Sequence, residues 1–144
     1  MTGREPAHVY SDEVLISHRT DAEKGTPKFE RGKSLSDHQC EMIYISGTAA
    51  IRGEESIVTG DVLVQTEITL ENIQHLIGLE EGREKLPEHS GKLELLRVYL
   101  KHEEDAKIVK EDMDKLCPDV PIVYLYADVC REELLVEIEG IAYL

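Results

Sequence analysis

The chain has 144 residues, with 16 Lys and Arg against 30 Asp and Glu, which gives a formal net charge of −14 at pH 7. The length predicts a single domain with a true core, and the hydrophobic content of 41% argues against disorder. The acidic balance, the lack of Trp and the single Phe argue against a nucleic-acid partner, which requires clustered basic residues and aromatic stacking platforms.

The amino-terminal sequence is polar, and no segment approaches the ~18–20 apolar residues of a membrane span. The cysteines are three in number and widely spaced, which is typical of reduced thiols. We therefore expect a cytoplasmic protein without a membrane partner, a metal or a cofactor. Residues 1–28 are predicted to form an irregular arm, and residues 29–144 the folded domain.

The first predicted element is a strand over residues 41–46, which Gly47 ends. The next segment has the clearest periodicity in the sequence. Apolar and Thr side chains recur there at steps of three and four from Val62 to Leu76. This pattern predicts a helix of four to five turns, which Thr59 or Asp61 caps and Gly78 ends.

The rest of the chain predicts a strand, a helix and two further strands. A nearly continuous apolar run indicates a central strand, and acids start a second helix that Pro118 stops. The predicted ranges are 92–100, 103–116, 122–129 and 134–144. Two helices over one mixed sheet is an α+β layer architecture.

Two acids stand out from the rest because they lie inside the apolar last strand. Glu137 and Glu139 share one strand face, with their backbones roughly 6.6–7 Å apart. If that face is covered, burial and the like charge raise the pKa of one carboxyl group, which suits it to general acid/base chemistry. The alternative is a solvated outer face, or a salt bridge at a subunit contact.

Two arginines and a cysteine are further candidates. Arg97 interrupts an apolar run, so it predicts a partner carboxylate or an anionic ligand, unless it reaches solvent at a strand end. Arg131 can clamp a carboxylate, or it is a turn residue. Cys130 has no predicted helix N-terminus or His beside it, so we expect a pocket-lining thiol rather than a nucleophile.

Three motifs resemble the RidA/YjgF superfamily: Tyr44-Ile45-Ser46-Gly47-Thr48, the helix from Gly60-Asp61-Val62 to Asn72-Ile73, and the closing strand Val136 to Ala142. The resemblance implies a chorismate-mutase-like domain with a six-stranded mixed sheet and two helices on one face. It also implies a barrel-like homotrimer with ligand sites between subunits. The superfamily's imine deaminases carry an arginine shortly after the proline of the penultimate strand, but here Pro121 is followed by Ile122 and Val123.

Other segments resemble the C-terminal half of chorismatases, which hydrolyse the enolpyruvyl ether of chorismate. They are Thr26 to Phe29, Tyr44 to Ala49, Arg97 to Tyr99, Tyr124 to Arg131 and Leu134 to Gly140. This resemblance implies that Glu137 is the acid/base and that Cys130 lines the pocket. It also implies that Arg97 and Tyr124 bind the ligand. We further assign Arg131, Glu139 and the Ser46, Gly47 and Thr48 segment to substrate binding.

The expected function is that of a small-molecule enzyme with a chorismatase-like pocket between subunits. Its substrate is predicted to be a carboxylated enol ether or related anionic metabolite, protonated by Glu137. The alternatives are an enamine/imine deaminase with a relocated arginine, and a ligand-binding or interaction trimer without catalysis.

Overall fold

The computed structural model describes residues 31–78 and 91–143. The predicted arm and its boundary with the domain lie outside these residues, as does the segment from 79 to 90.

The main sheet consists of five strands in the order β1-β2-β7-β5-β6. Neighbouring strands are antiparallel except for β5 and β6, which run parallel. The sheet is therefore mixed, as predicted. The strands are β1 Gly32–Ser36, β2 Glu41–Thr48, β5 Lys92–Leu100, β6 Ile122–Tyr126 and β7 Val136–Tyr143.

The prediction of a six-stranded sheet is wrong for the described part of the chain. The two remaining strands, β3 (Ile51–Arg52) and β4 (Glu55–Ser56), pair with each other rather than joining the main sheet. Gly53 lies in the turn between them with a φ of 66°, in the left-handed region that suits glycine. Asn72 donates hydrogen bonds to the carbonyl oxygens of Ala49 and Ile51, at 2.9 and 3.0 Å, and so fixes β3 against the first helix.

Helix α1 spans Val62–Ile77 and follows the predicted periodicity. The Asp61 carboxylate accepts hydrogen bonds from the backbone N–H groups of Leu63 and Val64, and Gly78 ends the helix in the left-handed conformation. A short 3₁₀ turn, Glu103–Asp105, leads into α2, Ala106–Leu116. Within residues 31–78 and 91–143, neither helix has both the length and the apolar character needed to cross a membrane.

Both helices pack on one face of the sheet, where they bury alternate residues of the central strands. Val109 and Met113 of α2 are fully buried there, whereas Leu116 is exposed at the helix end. The sheet contributes Ile43 and Ile45 from β2, Leu96, Val98 and Leu100 from β5, and Val136, Ile138 and Ala142 from β7.

The opposite face of the sheet, called the helix-free face below, carries the alternate residues. Its outer parts expose large apolar side chains, among them Leu35, Tyr44, Val123, Leu125 and Tyr143. Its centre, by contrast, is charged. This helix-free face contains the candidate site.

Candidate functional site

The centre of the helix-free face is built from neighbouring positions on β7 and β5. Val136 and Ile138 point into the core, so the alternation along β7 places Glu137 and Glu139 on the helix-free face. The register of the sheet sets Tyr99 opposite Glu137 and Arg97 opposite Glu139. The side chains of these four residues are therefore neighbours at the centre of the helix-free face.

Glu139 has two partners, and both contact the same oxygen. The Nε of Arg97 lies 3.0 Å from Oε1 of Glu139, and the Tyr99 hydroxyl donates a hydrogen bond to that atom. This hydrogen bond is the largest cause of the raised pKa of Tyr99. Arg97 therefore forms an ion pair with Glu139. Of the alternatives predicted for this arginine, the structure contains the partner carboxylate.

Glu137 has different surroundings, although it is only two residues away. Burial is the largest cause that raises the pKa of Glu137, and the negative charge of Glu139 raises it further. The Cys130 thiol and backbone N–H both hydrogen-bond to this carboxylate and act in the opposite direction. The net shift of the Glu137 pKa is upward, because the effects of burial and of the neighbouring charge exceed those of the hydrogen bonds.

A bulge in β2 brings Gly47 to the Glu137 side chain. Ile45 pairs with Gly140 and Thr48 with Ile138, so two residues of β2, Ser46 and Gly47, oppose the single residue Glu139. A Cβ atom built at Gly47 would lie 2.1 Å from Oε1 of Glu137. The carboxyl group therefore rests against bare backbone.

Two further guanidinium groups border Cys130. Arg131 donates from Nη1 to the Glu54 carbonyl oxygen and the Ser56 hydroxyl, both at 2.9 Å, so the β3–β4 turn holds it in place. Arg31 was not identified from the sequence. Its pKa is lowered by burial and then by Arg131, and it interacts electrostatically with Cys130. The backbone of Arg31 is held beside β2, because its carbonyl oxygen accepts a hydrogen bond from the Ser46 N–H at 3.0 Å.

The structure does not bring two of the predicted binding side chains to this cluster. Tyr124 packs against the core on the helix side of the sheet, where burial, followed by Asp114 and Cys117, raises its pKa to about 12. It faces that way because its β5 partner, Val98, points inward. Thr48 pairs with the inward-pointing Ile138 and is only 5% exposed.

Cys130 lies beside Glu137 and hydrogen-bonds to its carboxylate. Burial is the largest cause that raises the pKa of its thiol, and the charge of Glu137 adds to it. A thiol of this kind is a poor nucleophile, because the thiolate is the reactive form. The described residues contain no group of three or more His, Cys, Asp or Glu arranged to hold a metal ion.

No family model matches the chain, but individual proteins do. It is 36% identical over 136 residues to a chorismatase of Streptomyces rapamycinicus, a match that covers 89% of this chain and 41% of that protein. A chorismatase crystal structure superposes with a TM-score of 0.74 at 28% identity, covering 96% of this chain and 44% of that one.

A Rid-family protein of Yersinia pestis superposes with a TM-score of 0.70 at 15% identity, over 97% of this chain and all of that one. This likeness concerns the fold. The chain spans about two fifths of the length of the chorismatase relatives it matches. The chain is therefore similar in sequence to chorismatases over about two fifths of their length, and it has the α+β fold of the RidA/YjgF proteins.

Proposed function

We propose that the protein is an enzyme that acts on chorismate or a closely related carboxylated enol ether, with Glu137 as the acid/base. The observation that carries this proposal is the half-buried Glu137 carboxyl group, whose pKa is raised by burial and by Glu139. Protonation of a vinyl carbon requires a protonated acid, and a raised pKa increases the fraction of Glu137 that carries its proton at a given pH. The similarity to a chorismatase supports this substrate class.

In the proposed reaction, Glu137 transfers its proton to the terminal carbon of the enolpyruvyl group, and an oxocarbenium ion forms. Water adds to this cation and returns a proton to Glu137. The resulting hemiketal then breaks its carbon–oxygen bond to release pyruvate and an alcohol. The net change is the addition of one water molecule, and no external oxidant or reductant is required.

Glu139 has a supporting role in this mechanism. Its partners, Arg97 and Tyr99, both contact its Oε1 atom and hold the side chain in place. A fixed negative charge two residues from Glu137 favours the protonated form of that acid and stabilises the developing cation.

The substrate carboxylate needs a cation, since the chain carries a net charge of −14. Arg97 retains further donors on its guanidinium beyond the Nε that contacts Glu139. Arg131 is held rigidly by neutral acceptors. We assign substrate binding to these two groups, with Ser46 and Gly47 providing backbone at the bulge and Cys130 the pocket wall. Tyr124 and Thr48 are left out, because Tyr124 packs against the core on the helix side and Thr48 is buried.

We further propose that the protein works as a cytoplasmic homotrimer with its sites between subunits. The exposed apolar residues around the charged centre of the helix-free face support burial against other copies. The three cysteines are all free, which fits a reducing compartment.

The test is to incubate the purified protein with chorismate and follow pyruvate release. The wild type and Glu67→Gln, a variant of an exposed glutamate on α1, are expected to turn over equally, whereas Glu137→Gln is expected to lose activity and keep the elution volume of the oligomer. Unchanged turnover by Glu137→Gln contradicts the assignment, and no pyruvate release from any enol ether contradicts the enzyme class.

One observation favours a second candidate, imine deamination. Val123 stands after Pro121 where the resemblance places the deaminase arginine, and it pairs with Arg97 across β5 and β6. A guanidinium therefore lies one strand away on the same face. Faster pyruvate release from 2-aminoacrylate generated in situ, lost in Arg97→Met, supports this candidate, and an unchanged rate contradicts it.

A further inference from the structure

We propose that Gly47 is a positioning residue for Glu137, and that the space left by its missing side chain is the seat of the Glu137 carboxyl group. The role is steric. It differs from contact between Gly47 and a substrate, which the proposed function assigns to the backbone at this bulge.

The contacts around Gly47 carry this inference. A Cβ atom at position 47 would lie 2.1 Å from Oε1, 2.9 Å from Cδ and 3.4 Å from Cγ of Glu137. These are the three nearest atoms, and all belong to one side chain. The Cβ of an alanine therefore collides with Glu137, and outside the two neighbouring residues no atom of another group lies nearer than 3.4 Å.

The backbone conformation does not explain the glycine. Among the described residues, the glycines with positive φ are Gly53, Gly60 and Gly78, so Gly47 has a conformation open to other amino acids. The β2 bulge supplies the rest of the seat, because its extra residue brings the strand under Glu137.

The seat also explains how Glu137 meets Cys130. With Ala at position 47, Oε1 must move at least 0.9 Å, from 2.1 Å to the 3.0 Å below which real Cβ contacts essentially do not occur. The carboxyl group then leaves the Cys130 thiol and N–H that hydrogen-bond to it. The other titratable groups that face it are Glu139 on its own strand and Tyr99 across from it on β5.

The experiment is a set of double-variant cycles read by thermal unfolding. Gly47→Ala is combined with the wild-type Glu137, with Glu137→Gln, which keeps the size of the side chain, and with Glu137→Ala, which removes all three colliding atoms. We expect Gly47→Ala to lower Tm slightly with Glu or Gln at position 137, because the end of that flexible side chain can move aside, and to leave Tm unchanged with Ala there.

Gly60→Ala is the matched control. Gly60 has a φ of 65° and nothing within 4 Å of a built Cβ, so its substitution is strained regardless of residue 137. Its loss of Tm should be the same in all three backgrounds. An equal loss of Tm for Gly47→Ala in all three backgrounds contradicts the proposed role of Gly47.

A second readout applies if Gly47→Ala alone does not fold. Folding of the double variant Gly47→Ala/Glu137→Ala then supports the proposed role, and failure of that double variant to fold contradicts it.

A titration of the Glu137 carboxyl carbon by ¹³C NMR gives a readout that a purely structural role does not move. In Gly47→Ala the displaced carboxyl group leaves both its buried position and the Cys130 hydrogen bonds, and its pKa should fall toward the ordinary value of Glu because burial is the largest of these effects. An unchanged titration overturns the positioning role. Both measurements work without substrate, so a protein that shows the coupling but releases no pyruvate keeps the seat and refutes only the proposed function.

Discussion

Glu137 and Glu139 point to the same side of β7, yet the sheet gives them opposite environments. Glu139 shares its Oε1 atom between Arg97 and Tyr99. Glu137 rests on Gly47 and meets Cys130. The second environment raises the pKa of Glu137, chiefly through burial. Two acids in such different surroundings are a recurring arrangement in enzymes, in which one group is the proton donor and the other is a fixed charge.

The raised pKa of Glu137 predicts a pH-dependent cost to stability. An acid with a higher pKa in the folded state binds more protons there than in the unfolded chain, so the free energy of unfolding falls as pH rises from the ordinary value of 4.5 through the raised one. Glu137→Gln removes this loss, so the variant should gain Tm relative to wild type as pH increases from 4 to 8. A Tm difference independent of pH contradicts the raised pKa.

The ion pair between Arg97 and Glu139 is predicted to contribute little in the isolated chain. The two side chains are 46% and 28% exposed, so solvent screens the attraction. A double-variant cycle with Arg97→Met and Glu139→Gln should give a coupling of about 0.2–1 kcal/mol, falling with added salt. A coupling that is several-fold larger and insensitive to salt contradicts this expectation and indicates that another copy covers the pair.

Sequence patterns predicted α1 well because its signals are local. Asp61, the apolar periodicity and Gly78 lie within one continuous segment, and each acts on the same helix. β1 was not predicted because its inward positions are Gly32 and Ser34, while Leu35 points outward. Its hydrophobic alternation is therefore the reverse of a normal strand, and only pairing with β2 reveals it.

The part of the candidate site that could be predicted from the sequence is the part whose signal is local. The period of β7 was enough to put Glu137 and Glu139 on one face. It could not supply the Gly47 contact, because that depends on the bulge in a different strand. Nor could it reveal that Tyr124 faces the core, since the apolar run of β6 has no clear alternation.

The cap of α1 gives a test of local stability. Asp61→Ala removes the acceptor for the N–H groups of Leu63 and Val64, at 2.9 and 3.4 Å. The free energy of unfolding should fall by about 1 kcal/mol in urea denaturation. Asp61→Asn keeps an oxygen acceptor and should lose less. Equal losses in the two variants would indicate that charge rather than the hydrogen bonds carries the effect.

The buried amide of Gln65 links α1 to the segment that leads into β7. Its Nε2 donates to the Glu133 carbonyl oxygen at 3.0 Å, and its Oε1 accepts from the Leu135 N–H at 2.8 Å. Gln65→Leu leaves both backbone groups without this partner, so the free energy of unfolding should fall by about 2–6 kcal/mol, from ~1–3 kcal/mol for each group.

The functional consequence of Gln65→Leu follows from the short distance along the chain to Glu137. Leu135 is two residues before Glu137, so loosening it shifts the carboxyl group relative to Gly47 and Cys130. Turnover of chorismate should therefore fall below what the loss of folded protein explains, measured at a temperature where the variant remains folded. Gln74→Leu, an exposed position on the same helix, should change neither quantity. If Gln65→Leu keeps full specific activity, the amide serves stability alone and Glu137 is positioned entirely by its own contacts in the sheet.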